Sequence, residues 1–237
     1  AGVAIGGSPP GGCASRRRER VTEQAGPPLV AVLVVIFTVE AGELRVLLIR
    51  RAAEPYRDWW ALPGGVLQPD ESLDEAASRK LVEETGVRDV YLEQLYTFGD
   101  LDGASPRRAV AVTYFALVNH ERVRLRQGGD WQPAWFDVRR LPDLAFDNAR
   151  VIRYAVERLR AKLQYTNVAY SLLPEEFTLT ELQRAYESIL GRRLDKRNFR
   201  KRILSAGIVR ATGRTRREGA HRPAMLYAFT AREPMTL

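Results

Sequence analysis

Cysteine is almost absent from this chain: Cys13 is the single one in 237 residues. Neither an intramolecular disulfide framework nor a cysteine-based zinc site is open to it. Long apolar runs are missing too. The longest, residues 29–39, has eleven residues, against the ~20 that a membrane-spanning helix needs. It reads as a buried strand, and nothing is expected to cross a bilayer. Residues 1–27 hold Gly, Pro and Arg but no apolar stretch of the kind a signal peptide carries. They read as a disordered tail, and the expected location is cytoplasmic.

Positive charge is in excess, with a formal net of +8, but it is unevenly spread. Residues 28–150 sum to −4, residues 151–165 to +3 and residues 166–237 to +7. A mildly acidic body with a strongly basic C-terminal third points to a small-molecule or catalytic domain joined to a polyanion-binding one. An ordinary arginine-rich surface gives the same sum, so charge alone does not choose.

Periodicity and punctuation supply the elements. The β-rich run from Leu29, a turn at 40–42 and a second strand over 45–50 make a hairpin whose first strand is buried on both faces. A polar loop ends in Trp59-Trp60-Ala61-Leu62-Pro63-Gly64-Gly65 and a helix follows. Ser72 and Glu75 form its capping box, Ala77, Leu81 and Val82 continue its apolar stripe, and Gly86 stops it. Strands are expected over 90–96, 109–118 and 135–138. Asp147 is expected to cap a long amphipathic helix carrying Ile152, Ala155, Val156, Leu159 and Leu163, closing the first domain near Tyr165. After a connector over 166–176, Thr178 and Glu181 form a second capping box, and their helix ends at Gly191. Asp195 caps another helix, from Lys196 to about Ala206, with Leu194 and Phe199 placed as a hydrophobic staple. Strands over 208–212 and 225–229 are joined by a loop carrying Arg214, Arg216, Arg217 and Arg222. Helix, helix and basic hairpin outline a winged helix-turn-helix.

The densest chemistry is Gly65-x5-Glu71-x7-Arg79-Lys80-Leu81-x-Glu83-Glu84-x-Gly86-Val87. Carboxylates at i, i+3 and i+4 of one helix converge and can hold magnesium, which neutralises a diphosphate and helps generate the attacking hydroxide. The pattern resembles the Nudix box of hydrolases that cleave nucleoside diphosphates linked to another group. Every fixed position matches except one, where this chain has Lys80 for glutamate. That exchange removes a ligand and sets an ammonium beside Glu83 and Glu84. At ~4 Å and an effective dielectric of ~20, unit charges interact by ~4 kcal/mol, and a divalent ion doubles the effect. The box residues Glu71, Arg79, Lys80, Glu83 and Glu84 are therefore expected to be vestigial, with no catalytic residue, no resident metal and only weak residual magnesium binding. Lys80 is expected to pair with Glu84, and Arg79 to brace the glutamates.

On a helical wheel of the second domain, Phe199, Ile203 and Ala206 share the inward face. Arg197 and Lys201 point the opposite way. Lys196, Arg197, Asn198, Arg200 and Lys201 are the candidate recognition residues, since Arg and Asn at a helix N-terminus read base edges. Arg214, Arg216, Arg217 and Arg222 are a candidate wing against phosphates or the minor groove. A solvated helix face and a basic loop explain the charges but not the coincidence of caps, staple and wing. RNA is disfavoured, because no aromatic platform or Gly-rich clamp is present.

Over residues 28–230 the chain resembles one family, the Nudix-related transcriptional regulators of NAD metabolism (NrtR). Residues 177–187 and 194–201 look like that family's DNA-binding segment. The resemblance implies an α+β fold: a Nudix-like mixed α/β/α sandwich over 28–165 for ligand binding and dimerisation, then a winged helix-turn-helix over 166–237. It implies a homodimeric bacterial repressor of NAD biosynthesis or salvage genes that binds double-stranded operator DNA, requires no cofactor and responds to ADP-ribose or a related NAD metabolite. The cleft that such a fold builds beside the box helix has Arg50, Arg51, Trp60, Gly64, Gly65, Glu83, Phe98 and Arg108 as candidate ligand-binding residues. The rival reading is an active pyrophosphohydrolase for ADP-ribose-like substrates with an accessory nucleic-acid-binding domain. Lys80 discriminates between them.

Overall fold

The structure is a computed structural model, and it describes residues 28–86, 88, 91–99, 109–125, 132–217 and 223–233. The tail expected over 1–27 lies outside these residues. Strands β1 (Leu29–Glu40) and β2 (Glu43–Arg50) form the expected hairpin. Its two-residue turn has Ala41 and Gly42 both at positive φ, 51° and 80°, the backbone that matches the twist of paired strands. Short strands β3 (Trp60–Ala61) and β4 (Gly64–Val66) precede helix α1 (Leu73–Thr85). Then come β5 (Tyr91–Phe98), β6 (Ala109–Leu117), β7 (Gln132–Asp137) and helix α2 (Asn148–Lys162).

The seven strands make one sheet of order β3-β2-β1-β6-β5, with β4 added to β1 and β7 to β2. β1 and β6 run parallel, from Leu29↔Ala109 to Phe37↔Leu117, and the other pairs are antiparallel. The central place of β1 explains its unbroken apolar run: strand faces alternate, and both are covered. Val32, Val34 and Ile36 pack with Ala76, Ala77 and Leu81 of α1, while Val35 and Phe37 pack with Val151, Ile152 and Leu159 of α2. This is the mixed α/β/α sandwich that the family resemblance implies.

The start of α2 corrects one expectation. Asp147 stands at the N-cap position, but its backbone is left-handed (φ 53°) and its side chain makes no capping bond. Asn148 organises the turn instead. It is buried, accepts from Leu62 N–H at 2.7 Å and donates to the Phe146 carbonyl at 3.3 Å.

Beyond α2, residues 166–173 are all buried and include a 3₁₀ turn, Val168–Leu172. Ser171 Oγ accepts from Tyr91 N–H of β5 at 3.0 Å, so the connector is packed on the sheet domain. Helices α3 (Leu179–Leu190) and α4 (Lys196–Ser205) and strands β8 (Val209–Arg216) and β9 (Ala224–Phe229) complete the chain. The capping boxes at Ser72/Glu75 and Thr178/Glu181 are both formed. Phe177 pairs with Tyr227 through two backbone bonds of 2.9 and 2.8 Å, adding a third strand position to the β8–β9 hairpin. No helix among the described residues is long and apolar enough to cross a membrane.

Candidate functional site

The box lies on α1 and the loop before it. Arg79 grips Glu71 with both ends of its fork, Nε to Oε2 at 2.9 Å and Nη2 to Oε1 at 2.6 Å, and reaches Glu83 Oε1 at 3.3 Å. Gln68 N–H also donates to Glu71 at 2.9 Å. Lys80 Nζ donates to Glu83 Oε2 at 2.8 Å, an i,i+3 pair where the sequence pointed to Glu84. Glu84 is fully buried. The bond from Arg79 holds Glu71 below the ordinary carboxylate range. Burial pushes Glu83 upward, but Lys80 and then Arg79 outweigh it and hold it below that range as well. Arg79 is held more firmly charged, chiefly by Glu71. Bracing by Arg79 is thus what the geometry shows.

This donor set does not fit magnesium. A hard cation needs carboxylate oxygens that turn lone pairs to it. Both oxygens of Glu71 are engaged by Arg79, and those of Glu83 by Arg79 and Lys80. Among the described residues no group of three His, Cys, Asp or Glu side chains is arranged to hold a metal ion.

At the ends of β1, β4 and β6 lies a cavity of about 470 Å³, which Gly65 at the start of the box borders. Its wall is mostly apolar, with Leu29, Ala31, Leu33, Val66, Ala109 and Ala111 on the sheet side and Phe146 opposite. Arg50, Arg51, Gly64, Gly65 and Asn148 supply its polar and backbone surface. Gly64 has no room for a side chain, since a Cβ there would stand 2.6 Å from both Leu33 Cδ2 and Val32 O. Arg50 pairs with Asp58 at 3.2 Å. Arg51 donates to the carbonyls of Pro55 (3.1 Å) and Ala53 (3.4 Å) and lies 4.4 Å over the Phe146 ring, so it shapes its own loop.

Of the expected ligand residues, the cavity therefore gathers Arg50, Arg51, Gly64 and Gly65. Glu83 stays in the box with Lys80. Trp60 is half-buried against Phe136, with ring centroids 4.7 Å apart. Phe98 is buried beneath Tyr96 and Tyr154, with Arg150 5.6 Å over its ring. Arg108 lies outside the described residues. The sequence reading missed Asn148. The signal was there: the apolar stripe Ile152, Ala155, Leu159 extended back by one turn falls on this polar residue.

In the second domain α4 starts at Asp195, whose Oδ1 accepts from Asn198 N–H at 2.8 Å. Phe199 and Ile203 are buried beneath it, while Lys196, Arg197, Asn198 and Lys201 are exposed. Arg200 is half-buried and reaches Thr180 Oγ1 of α3 at 3.4 Å, so it turns toward the helix pair. The wing is corrected. Arg214 and Arg216 belong to β8, not to a loop, because pairing with β9 resumes after Gly213 (φ 77°) at Thr215↔Met225 and Arg216↔Ala224. Both are ion-paired, Arg214 with Glu176 and Arg216 with Glu181 of the α3 capping box. Arg217 is exposed just past the strand, and Arg222 lies outside the described residues.

Comparison with known proteins agrees with this two-part architecture. Residues 27–155 match the NUDIX domain and residues 169–229 match the NrtR DNA-binding winged helix domain. The ADPR responsive transcriptional repressor NtrR of Acinetobacter baylyi is 40% identical over 210 residues, 87% of this chain and 84% of that protein. The crystal structure of Shewanella oneidensis NrtR complexed with a 27mer DNA superposes with a TM-score of 0.76 at 36% identity, covering 85% of this chain and 93% of that one. The ADP-ribose pyrophosphatase of Methanocaldococcus jannaschii is 35% identical over 112 residues, 46% of this chain and 64% of its own. The likeness to these regulators spans sandwich and winged helix together, and the chain belongs to the NrtR family of Nudix-related transcriptional regulators.

Proposed function

We propose that this chain is an ADP-ribose-responsive transcriptional repressor whose Nudix domain binds the nucleotide without hydrolysing it. The observation that carries the reading is Lys80 on Glu83 at 2.8 Å. The ammonium sits in the box where the hydrolytic chemistry calls for a metal-binding carboxylate, and it opposes the approach of a divalent cation. The second domain supports the DNA-binding half with an exposed, basic N-terminal turn on α4 over a buried apolar face. The relative from A. baylyi is named for both response to ADP-ribose and repression.

The working form in this reading is a homodimer held by the Nudix domain. Two recognition helices then reach half-sites about one turn (~34 Å) apart. The targets are operators of genes for NAD biosynthesis or salvage, and no resident metal is needed. Fluorescence anisotropy on duplexes from upstream of such genes, with and without ADP-ribose, tests it. The expected outcome is specific binding that ADP-ribose shifts, with no magnesium-dependent turnover of the nucleotide. Sustained cleavage by the unmodified protein would sink the non-enzymatic reading.

A further inference from the structure

The cavity of about 470 Å³ has the size in which proteins bury small organic ligands, about 300–1,000 Å³. Most of its wall is aliphatic and gives a diphosphate no hydrogen-bonding partners, so the charged part of a nucleotide belongs outside that portion. What the aliphatic portion suits is a planar heterocycle. Among the described residues that line the cavity, Phe146 is the one aromatic, and Arg51 lines it as well. The Arg51 guanidinium lies 4.4 Å over the Phe146 ring. Two planar groups are thus packed together at one wall of the chamber.

Both are held firmly. Arg51 donates in its own plane to loop carbonyls, Nε to Pro55 at 3.1 Å and Nη2 to Ala53 at 3.4 Å. The loop itself is closed by Arg51 N–H on Trp59 O (2.9 Å) and Asp58 N–H on Arg51 O (2.8 Å). From the same loop Tyr56 meets the Phe146 ring, with centroids 5.0 Å apart and planes at 72°. Phe146 is placed there against its backbone preference. It and Asp147 are consecutive non-glycine residues at φ 55° and 53°, the left-handed region where a bulky residue is uncommon. Such strain persists only where the surroundings over-determine it, and it clusters at ligand clamps. Here Asn148 Nδ2 holds the Phe146 carbonyl at 3.3 Å. Asn148 N–H reaches Ala145 O at 3.1 Å, and Ala145 N–H reaches Trp60 O at 2.8 Å. The turn so pinned sets Phe146 on the chamber and leaves Asp147 exposed.

We infer that the Arg51–Phe146 pair is the base-recognition wall of the nucleotide site. The adenine ring of ADP-ribose packs against it, while the diphosphate and the distal ribose stay outside the aliphatic portion. Aromatic rings and guanidinium planes both offer a stacking surface to bases. The inference rests on the reading of the Nudix domain as an ADP-ribose sensor and adds which end of the ligand enters the chamber, and on what.

Calorimetric titration and saturation-transfer NMR of the full chain with ADP-ribose test it, with thermal melting to check the fold of each variant. In the unmodified protein the adenine ring protons are expected to take up more saturation than those of the distal ribose. Phe146→Leu keeps an apolar group and removes the ring. It should weaken binding about tenfold or more, as loss of a stacked base contact does, and adenine saturation should fall relative to ribose. Phe146→Tyr should keep most of the affinity. Arg51→Lys keeps the charge but loses the planar fork, and should weaken binding several-fold. A merely structural pair would move the melting temperature and leave the adenine-to-ribose pattern as it was. Binding by a folded Phe146→Leu equal to that of the unmodified protein would overturn the inference alone, leaving the sensor reading intact. So would saturation of the distal ribose in place of adenine in the unmodified protein, an arm that needs no variant to fold. If the unmodified protein binds no ADP-ribose, the sensor reading fails and this inference with it.

Discussion

At Asn148 one amide joins the cavity wall to the head of the long helix. It accepts from Leu62 N–H, which is buried with it, and donates to the half-buried Phe146 carbonyl; a buried donor left without its acceptor costs ~1–3 kcal/mol. Asn148→Ala is expected to lower stability by about 2 kcal/mol on that basis, read from urea unfolding, and to weaken ADP-ribose binding as well. Unchanged stability would mean that the Leu62 N–H finds another acceptor. The titrating groups make a second prediction at this scale. Glu71, Glu75, Glu83, Asp137, Glu181 and Glu187 are all held below the ordinary carboxylate range. A carboxyl with a folded pKa below its unfolded value contributes stability above the unfolded value. That contribution is lost as pH falls through the folded one. Thermal melting should therefore hold steady from pH 7 to about 5 and fall steadily below about 4; a gain in stability on acidification through that range would contradict these shifts. The box residues were legible in the sequence because Arg79, Lys80 and Glu83 find one another within two turns of one helix. The contacts of Asn148 and Arg51 were not, since the Leu62 amide is 86 positions from Asn148 and the Arg51 partners depend on how its own loop folds.

Helix starts follow the same division between local and distant causes. The boxes at Ser72 and Thr178 close within three residues of their own helices and could be read directly. The cap expected at Asp147 failed because Phe146 and Asp147 both turn left-handed to deliver Asn148 to the sheet. Strand ends were also misplaced: β8 continues to Arg216 because β9 offers it a partner, and no single strand encodes its partner's register. The box at Thr178 does double duty, since Glu181 also holds Arg216 of β8. Thr178→Ala should cost about 1 kcal/mol of stability, the usual worth of such a cap, with loss of DNA affinity if the wing loosens with it. The DNA-facing elements should fail differently. Arg197 is exposed on the first turn of α4, and Arg197→Ala is expected to cost ~1–3 kcal/mol on an operator duplex and much less on a scrambled one. Arg217 is exposed, so Arg217→Ala should weaken both duplexes alike and flatten the salt slope by ~1. Arg214 must first leave Glu176 to reach a phosphate, and its loss should matter less. Equal weakening of both duplexes by Arg197→Ala would make that arginine another phosphate contact.

For the molecule as a whole, the two domains share one interior. A single apolar core runs from Val35 and Phe37 of the sheet through Leu159 and Leu163 of α2 and the buried connector to Leu182, Phe199 and Phe229. Polar bonds cross the same junction. Arg202 of α4 donates to the carbonyls of Leu163 (3.4 Å) and Gln164 (2.9 Å), just past α2. Arg160 of α2 donates to Ile189 O of α3 at 2.9 Å, and Ser188 Oγ of α3 donates to Gly42 O of the first hairpin at 2.8 Å. The helix whose first residue, Asn148, lines the cavity is thus followed directly by carbonyls that the helix proposed to read DNA holds, so packed contacts run without a break from the cavity to α4. Sequence patterning showed two modules joined by a connector because each has its own caps and periodicity; the shared core depends on tertiary packing that periodicity does not report. Residues 166–237 expressed alone would expose Leu182, Phe199 and their neighbours where α2 now covers them, and a chain so short has little core to spare. We expect that fragment to be largely unfolded or to melt far below the full chain, which should itself unfold in one cooperative transition seen alike by circular dichroism and tryptophan fluorescence. With the fold weakened and, in the proposed homodimer, no Nudix domain to pair two copies, operator binding should drop to the level of scrambled duplex. A fragment that melts like the full chain and binds the operator as tightly would show that the winged helix stands alone, and the path through α2 would lose its physical basis.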